Sequence, residues 1–252
     1  MTRGTTKRRA RGRPGVVAAL AALVVGLTAG VPGPGTDVAW AAPAPAAVPP
    51  KPALLDLPVQ PRVLIMGDSY TEGWGADPKT EGFAFKVAGP LGWRVTRDGI
   101  GATGYTNVGL KQQGTYPQRL WRHPADGYDL VVLQGGSNDE RRPEAEITTA
   151  VDFTVRTVRR RYPSAQILVM GPIEPYGTVS ERRAKVTRVL TASTTKSSLL
   201  FIDPSAEHWF VKGDSTTLVN PEKGHPNNAG YAHIADLFVR DVRALSVVRP
   251  VR

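Results

Sequence analysis

A serine follows the first apolar run after the N-terminal segment, and a histidine that could serve it stands far downstream. Ser69 ends a Gly-Asp-Ser sequence placed directly after residues 63–66, and His225 lies in the Glu-Lys-Gly-His-Pro-Asn sequence at 222–227. A serine at the carboxyl end of a buried strand, with a histidine to take its proton, is the minimum equipment for covalent acyl chemistry. This pair predicts a hydrolase.

Two further predicted strands lead into glycine- and amide-bearing turns. Residues 93–95 precede a turn that contains Gly101, and residues 130–133 precede one that contains Asn138. A serine nucleophile needs preorganised donors aimed at the oxyanion of its tetrahedral intermediate. The backbone amides of Ser69 and Gly101 and the side-chain amide of Asn138 are the candidates. Gly101 suits the role because a missing side chain lets the backbone approach a ligand closely.

The elements that must position these residues alternate along the chain. Short runs at 63–66, 93–95, 130–133, 167–170 and 199–202, most of them rich in Val, Ile and Leu, are typical of strands covered on both faces. Between them, residues 143–161, 179–194 and 228–245 carry apolar positions three and four apart, which favours helices with one buried stripe. Alternation of this kind predicts a three-layer α/β/α sandwich with a mostly parallel sheet. Ligands of such folds bind outside the carboxyl ends of the strands.

The motifs, in the order in which they occur along the chain, resemble the four sequence blocks that characterise the SGNH hydrolases, also called the GDSL esterase and lipase family. Ser69 matches the first block, Gly101 the second, Asn138 the Gly-x-Asn-Asp block at 136–139, and His225 the histidine of the last block. The resemblance extends from residue 63 to about residue 242. It implies a flavodoxin-like fold with a five-stranded sheet, Ser69 and His225 as catalytic residues, and Ser69, Gly101 and Asn138 as the oxyanion hole.

The last block departs from the family pattern. The family usually places Asp three residues before the histidine, whereas this chain has Glu222. A glutamate can accept the imidazole N–H and hold its tautomer, and we name Glu222 as a candidate catalytic residue. Some family members use a backbone carbonyl there instead, so both alternatives remain open at this point.

Aromatic residues flank these motifs. Tyr70, Trp74 and Tyr105 are candidates for substrate binding, either by stacking on a sugar ring or by lining an acyl pocket. The alternative is that they serve the hydrophobic core, which is the commoner use of aromatic side chains.

The N-terminus has the features of an export signal. Residues 1–41 combine a basic stretch, an apolar stretch at 16–31 and an Ala-Trp-Ala sequence at 39–41, which predicts a cleaved signal peptide. An uncleaved membrane anchor is the alternative, but the glycines at 26 and 30 weaken it. Residues 42–61 are rich in Pro and Ala and are predicted to be a linker, followed by one domain at 62–252. We expect a protein that is secreted or held in the cell envelope, without stable membrane insertion after cleavage.

Composition excludes several classes of function. Removal of residues 1–41 takes away six of the 32 basic residues and one of the 22 acidic residues, which leaves a net charge of +5. This charge is modest and mixed with acids, so nucleic-acid binding is not expected. The chain has no cysteine, which excludes disulfides and thiolate metal sites. We expect neither a metal nor another cofactor, and a monomer.

These observations favour a secreted serine esterase that acts on short-chain acyl esters, on acetylated carbohydrates or on lipids. The substrate is either a small molecule or a polysaccharide ester. One alternative keeps the fold and transfers the acyl group to cell-envelope saccharides, because a sugar hydroxyl can replace water in deacylation. The other is a non-catalytic carbohydrate-binding domain of the cell surface.

Overall fold

The structure, a computed structural model, describes residues 50–125 and 127–248. Within these ranges five strands form one sheet in which every neighbouring pair is parallel, in the order β2-β1-β3-β4-β5. The strands are β1 (Arg62–Gly67), β2 (Arg94–Gly99), β3 (Leu130–Gln134), β4 (Gln166–Met170) and β5 (Leu200–Ile202). The predicted α/β class and its five-stranded sheet are confirmed.

Helices and a small hairpin complete the fold. The helices are α1 (Ser69–Glu72), α2 (Phe83–Lys86), α3 (Ala88–Leu91), α4 (Tyr116–Leu120), α5 (Glu144–Arg161), α6 (Glu181–Lys196), α7 (Ser215–Leu218) and α8 (Asn228–Ala244). Single turns of 3-10 helix lie at Lys79–Glu81 and Ser137–Asp139. Two short antiparallel strands, β6 (Val219–Asn220) and β7 (His225–Pro226), form a hairpin just before α8.

Helices cover both faces of the sheet. Alternate residues of β1 point to opposite sides, so Ile65 belongs to one buried cluster and Leu64 to the other. The first cluster contains side chains of α2 and α8, and the second contains side chains of α4, α5 and α6. Strand β2 lies at the edge and is only partly buried, unlike β1 and β3. The two helical layers therefore enclose the sheet, and the carboxyl ends of its strands are left to carry the site.

The domain begins earlier than the composition indicates. Leu55 is buried in the first cluster, and its backbone N–H donates to the carbonyl of Leu245 over 2.8 Å. The N–H of Asp56 donates to the side chain of Gln166 over 2.9 Å. The predicted linker at 42–61 therefore extends too far, because one apolar residue among its prolines packs beside the end of α8. The predicted signal peptide, residues 42–49 of the linker and residues 249–252 lie outside the described residues.

Among residues 50–125 and 127–248, no helix combines the length and the apolar character that a membrane crossing requires.

Candidate active site

Ser69 lies where β1 passes into α1. Asp68 is the N-cap of α1, and its Oδ1 accepts the backbone N–H of Tyr70 over 3.0 Å. Asp68 is 1% exposed, and this burial raises the pKa of its carboxyl to about 6. The cap fixes the turn that presents Ser69 at the carboxyl end of the central strands.

His225 reaches Ser69 from the β6–β7 hairpin. Ser69 Oγ and His225 Nε2 are 2.7 Å apart, and His225 Nδ1 is 2.9 Å from the carbonyl oxygen of Lys223. A carbonyl oxygen only accepts, so Nδ1 carries the hydrogen and Nε2 is free to accept the serine O–H. Gly75, with φ of 107°, allows the loop after α1 to pass the histidine, because a Cβ there would lie 2.9 Å from His225 Cβ.

The pKa of His225 supports its use as a base. Burial lowers the pKa of the imidazole below its ordinary value, while the hydrogen bond to Lys223 opposes that effect. The ring is therefore neutral at pH 7 and can accept the proton of Ser69.

The prediction for Glu222 is corrected by this geometry. Glu222 is exposed, and the atom at His225 Nδ1 is the carbonyl oxygen of Lys223. The hairpin turn explains why a backbone carbonyl takes the place predicted for the Glu222 carboxylate. The N–H groups of Lys223 and Gly224 both donate to the carbonyl of Asn220, which tightens the chain ahead of the histidine. The carbonyl two residues before the ring is thereby brought to Nδ1.

The second and third blocks place two candidate oxyanion donors beside the serine. Asn138 Nδ2 donates one hydrogen to the carbonyl of Thr103 over 2.9 Å, and an amide nitrogen has a second hydrogen to offer. The N–H of Gly101 faces the same site but is engaged, since it donates to Glu72 Oε2 over 2.7 Å. Glu72 is the last residue of α1, and its other carboxylate oxygen pairs with Lys79.

Asp139 connects the loop after Gly101 to the turn that carries Asn138. Its carboxylate accepts the backbone N–H groups of Tyr105 and Thr106, each over 2.9 Å, and the hydroxyl of Thr106 over 2.6 Å. The side chain after Asn138 thus holds the loop that follows Gly101, so the two donors are positioned by one connection.

Arg119, on α4, ties the strand ends together. The side chain is fully buried and donates to the carbonyl of Gly67 over 3.1 Å, to Thr103 Oγ1 over 2.5 Å and to Asp98 Oδ1 over 2.6 Å. These acceptors belong to the ends of β1 and β2 and to the loop that receives Asn138. The sequence analysis missed this residue, because an arginine in a short helix gives no signal of burial.

Comparison with known proteins agrees with this architecture. A sequence model described as the GDSL-like lipase/acylhydrolase family matches residues 65–233, more than half of the chain. The chain belongs to the GDSL-like lipase/acylhydrolase family. This GDSL family protein is therefore a hydrolase, and its family and enzyme class, both predicted from the motifs, are confirmed.

Individual relatives of this GDSL hydrolase include esterases. It is 29% identical to the GDSL lipase Rv0518 of Mycobacterium tuberculosis over 233 residues, 89% of this chain and 94% of the relative. Its fold is similar to that of the Mycobacterium smegmatis aryl esterase, with a TM-score of 0.56, 20% identity and coverage of 73% of this chain and 99% of that one. Est24, a carbohydrate acetylesterase from Sinorhizobium meliloti, gives a TM-score of 0.57, 18% identity and coverage of 73% and 99%.

The three aromatic candidates of the GDSL hydrolase lie in different settings. Trp74 is 41% exposed and lines the cavity beside Ser69. Tyr70 also lines it, but is largely buried with its ring 5.0 Å from that of His225. Tyr105 is buried in the second cluster, 4.9 Å from the ring of Tyr116, so its predicted role in substrate binding is wrong. The aromatic ring fills the core beneath the loop, while only its backbone N–H serves Asp139.

The cavity over Ser69 has a volume of about 1110 Å³ and a charged wall that the sequence analysis missed. Arg183 lies 2.6 Å from Glu174 and 3.5 Å from Glu140, and all three line the cavity. Burial raises the pKa of Glu174 above its ordinary value, and Arg183 opposes this shift. Tyr176 adds a ring that is 48% exposed at the same cavity. Glu174, Tyr176 and Arg183 lie in one stretch after β4, outside every motif, and Glu140 directly follows the 136–139 block.

Proposed function

We propose that this chain is an exported serine esterase that removes small acyl groups from hydroxyl-rich alcohols. The single observation that carries the proposal is the 2.7 Å contact of Ser69 Oγ with His225 Nε2, on a ring whose Nδ1 donates to Lys223. A nucleophile, a base and a group that orients the base are the parts that acyl transfer requires. The export signal predicted at residues 1–41 supports the proposed location outside the cytoplasm or in the cell envelope.

The reaction follows from this arrangement. As Ser69 Oγ bonds to the ester carbonyl carbon, His225 Nε2 takes the hydroxyl proton, and the carbonyl oxygen gains the negative charge. Collapse of the intermediate breaks the bond to the alcohol oxygen, which receives the proton from Nε2. Water, deprotonated by His225, then attacks the acyl-serine, and the acid leaves as Ser69 regains its proton.

The oxyanion is the charge that must be stabilised. The N–H groups of Ser69 and Gly101 and the second hydrogen of Asn138 Nδ2 would donate to it. The Gly101 donor requires that the Glu72 carboxylate first leaves it. Asn138 Nδ2 is already held by the Thr103 carbonyl, and a donor fixed before the reaction needs no reorganisation during it, which is how such sites accelerate acyl transfer.

The cavity favours a polar alcohol. The paired charges of Arg183 and Glu174 suit hydroxyl groups better than an acyl chain, and the exposed rings of Trp74 and Tyr176 offer stacking surfaces for a sugar. The similarity to a carbohydrate acetylesterase supports the same class of substrate. Acetylated saccharides therefore fit the site better than long-chain lipids.

An ester profile tests the proposed function. Wild-type protein should hydrolyse p-nitrophenyl acetate faster than esters of about 8 to 16 carbons, because the charges of Arg183 and Glu174 at the cavity disfavour a long apolar chain, and should release acetate from an acetylated polysaccharide. Ser69→Ala should do neither. Equal activity in Ser69→Ala would refute the proposal, and accumulation of a new saccharide ester in place of acetate would indicate acyl transfer. Polysaccharide binding without turnover by the wild type would indicate a binding domain.

Asn138→Ala tests the oxyanion hole. Loss of one donor should lower kcat by about 10² to 10³, while circular dichroism shows an intact fold. Asn107 donates to the backbone carbonyl of Asn138 over 3.2 Å, so Asn107→Ala measures how much loss of support for this turn, without loss of the donor, lowers kcat. Full activity of Asn138→Ala would contradict the assignment.

A further inference from the structure

The Glu72 carboxylate accepts the hydrogen bond of a candidate oxyanion donor. Its Oε2 is 2.7 Å from the N–H nitrogen of Gly101. A Cβ at Gly101 would lie 3.0 Å from that oxygen and 3.7 Å from Ser69 Cβ, so the carboxylate stands beside the nucleophile. One of the three candidate donors is thus already bound to a negatively charged oxygen of the protein itself.

Neighbouring residues hold this carboxylate at the mouth of the site. Lys79 pairs with Glu72 Oε1, and the Lys79 ammonium also lies 5.1 Å from the centre of the Trp74 ring. Gly99 allows the close approach of α1, because a Cβ there would lie 2.2 Å from the backbone nitrogen of Glu72. The Glu72 side chain is still 25% exposed, so water can take over its solvation when it moves away.

A carboxylate and an oxyanion compete for the same donor. Both present a negatively charged oxygen, and both accept a charge-assisted hydrogen bond from an N–H group. The acid product of ester hydrolysis is also a carboxylate at neutral pH, with a pKa near those of Asp and Glu. It therefore matches Glu72 in charge and in the group that it offers to Gly101.

We propose that Glu72 is an internal ligand of the oxyanion hole that selects neutral esters over carboxylates. In the ligand-free protein it satisfies the Gly101 N–H, a neutral ester displaces it, and its return disfavours rebinding of the acid product. This inference rests on the proposed function in one respect, the role of Gly101 as an oxyanion donor. It makes Glu72 a specificity-determining residue one helical turn after the nucleophile.

Acetate binding tests the inference without requiring turnover. Acetate is titrated into ¹⁵N-labelled protein while the amide signals are followed, with wild type and Glu72→Ala compared at constant ionic strength. Loss of a charged competitor should tighten acetate binding by about tenfold or more, the equivalent of one hydrogen bond to a charged group. Glu72→Gln, which keeps the volume and removes the charge, should show a smaller gain in the same direction.

Two controls separate this effect from others. Glu81 pairs with Lys86 over 2.6 Å in the neighbouring segment, so Glu81→Ala removes a comparable ion pair away from Gly101 and should leave acetate affinity unchanged. The double variant Glu72→Ala/Lys79→Ala tests whether the freed Lys79 ammonium alone attracts acetate, and it should retain the gain.

Kinetics supply the second readout. In Glu72→Ala inhibition by added acetate should become about tenfold stronger, whereas the KM for p-nitrophenyl acetate, a neutral ester, should change by a smaller factor. Unchanged acetate affinity in both Glu72 variants, or a gain that disappears in the double variant, would overturn the inference. If no variant hydrolyses esters but Glu72→Ala binds acetate more tightly, the proposed function fails while the carboxylate site stands.

Discussion

Replacement of Glu222 by glutamine separates two ways of orienting His225, the proposed catalytic base. A carboxylate that holds the histidine of a serine hydrolase contributes about 10⁴ to kcat, or about 5.5 kcal/mol at 1.36 kcal/mol for each factor of ten. In this protein Nδ1 donates to the Lys223 carbonyl over 2.9 Å, and Glu222 is exposed. An exposed substitution away from such contacts changes a free energy by about 0.5 kcal/mol or less. The expected change in kcat/KM of Glu222→Gln is therefore about twofold at most.

The assay is the full pH dependence of kcat/KM on p-nitrophenyl acetate for wild type, Glu222→Gln and His225→Ala. The glutamine variant should keep both the rate and the midpoint of the acidic limb, because its side chain does not stabilise the imidazolium. His225→Ala should lose the activity and shows that the assay detects a damaged base. A fall of 10³ or more in Glu222→Gln, or a clear drop in the midpoint, would refute the assignment of the Lys223 carbonyl.

Two further outcomes follow from the buried groups of the site. Burial lowers the pKa of His225 below its ordinary value of 6.5, and the neutral ring is the form that the proposed mechanism requires. Activity should therefore fall as the pH drops through a midpoint below 6.5. A midpoint above 6.5 in the pH profile of kcat/KM would contradict the expected shift. Arg119→Met leaves Asp98 without its buried partner and should lower the free energy of unfolding in urea by about 3–5 kcal/mol, whereas a loss under 1 kcal/mol would show that Arg119 does not hold the strand ends.

The sequence was informative wherever local pattern and motif agreed. Helix α5, predicted at 143–161, spans Glu144–Arg161, because its apolar residues at 147, 151, 155 and 158 form one stripe that the core requires. The predicted ends of β1, β3, β4 and β5 are each within one residue of the observed ends, because each of these strands has a continuous apolar run that the core requires. Strand β2 was placed only roughly, since an edge strand with partly exposed side chains lacks a continuous apolar run.

The remaining features of the site depend on contacts that side-chain identity does not encode. The partner of His225 Nδ1 is a backbone carbonyl, which every residue possesses, so the sequence directed attention to Glu222 instead. Tyr105 was predicted to bind substrate, but in the folded protein its ring packs in the hydrophobic core. The contact of Glu72 with Gly101 joins the end of one helix to the loop after another strand, and only the folded chain shows it.

Labelling with a fluorophosphonate tests the central claim most directly, because the reagent bonds only to a serine that a neighbouring base has activated. Intact-mass measurement of the wild type should show one adduct, and peptide mapping should place it on Ser69. His225→Ala should react far more slowly, while Glu222→Gln should react like the wild type. An unlabelled wild-type protein, or an adduct on another residue, would contradict the account.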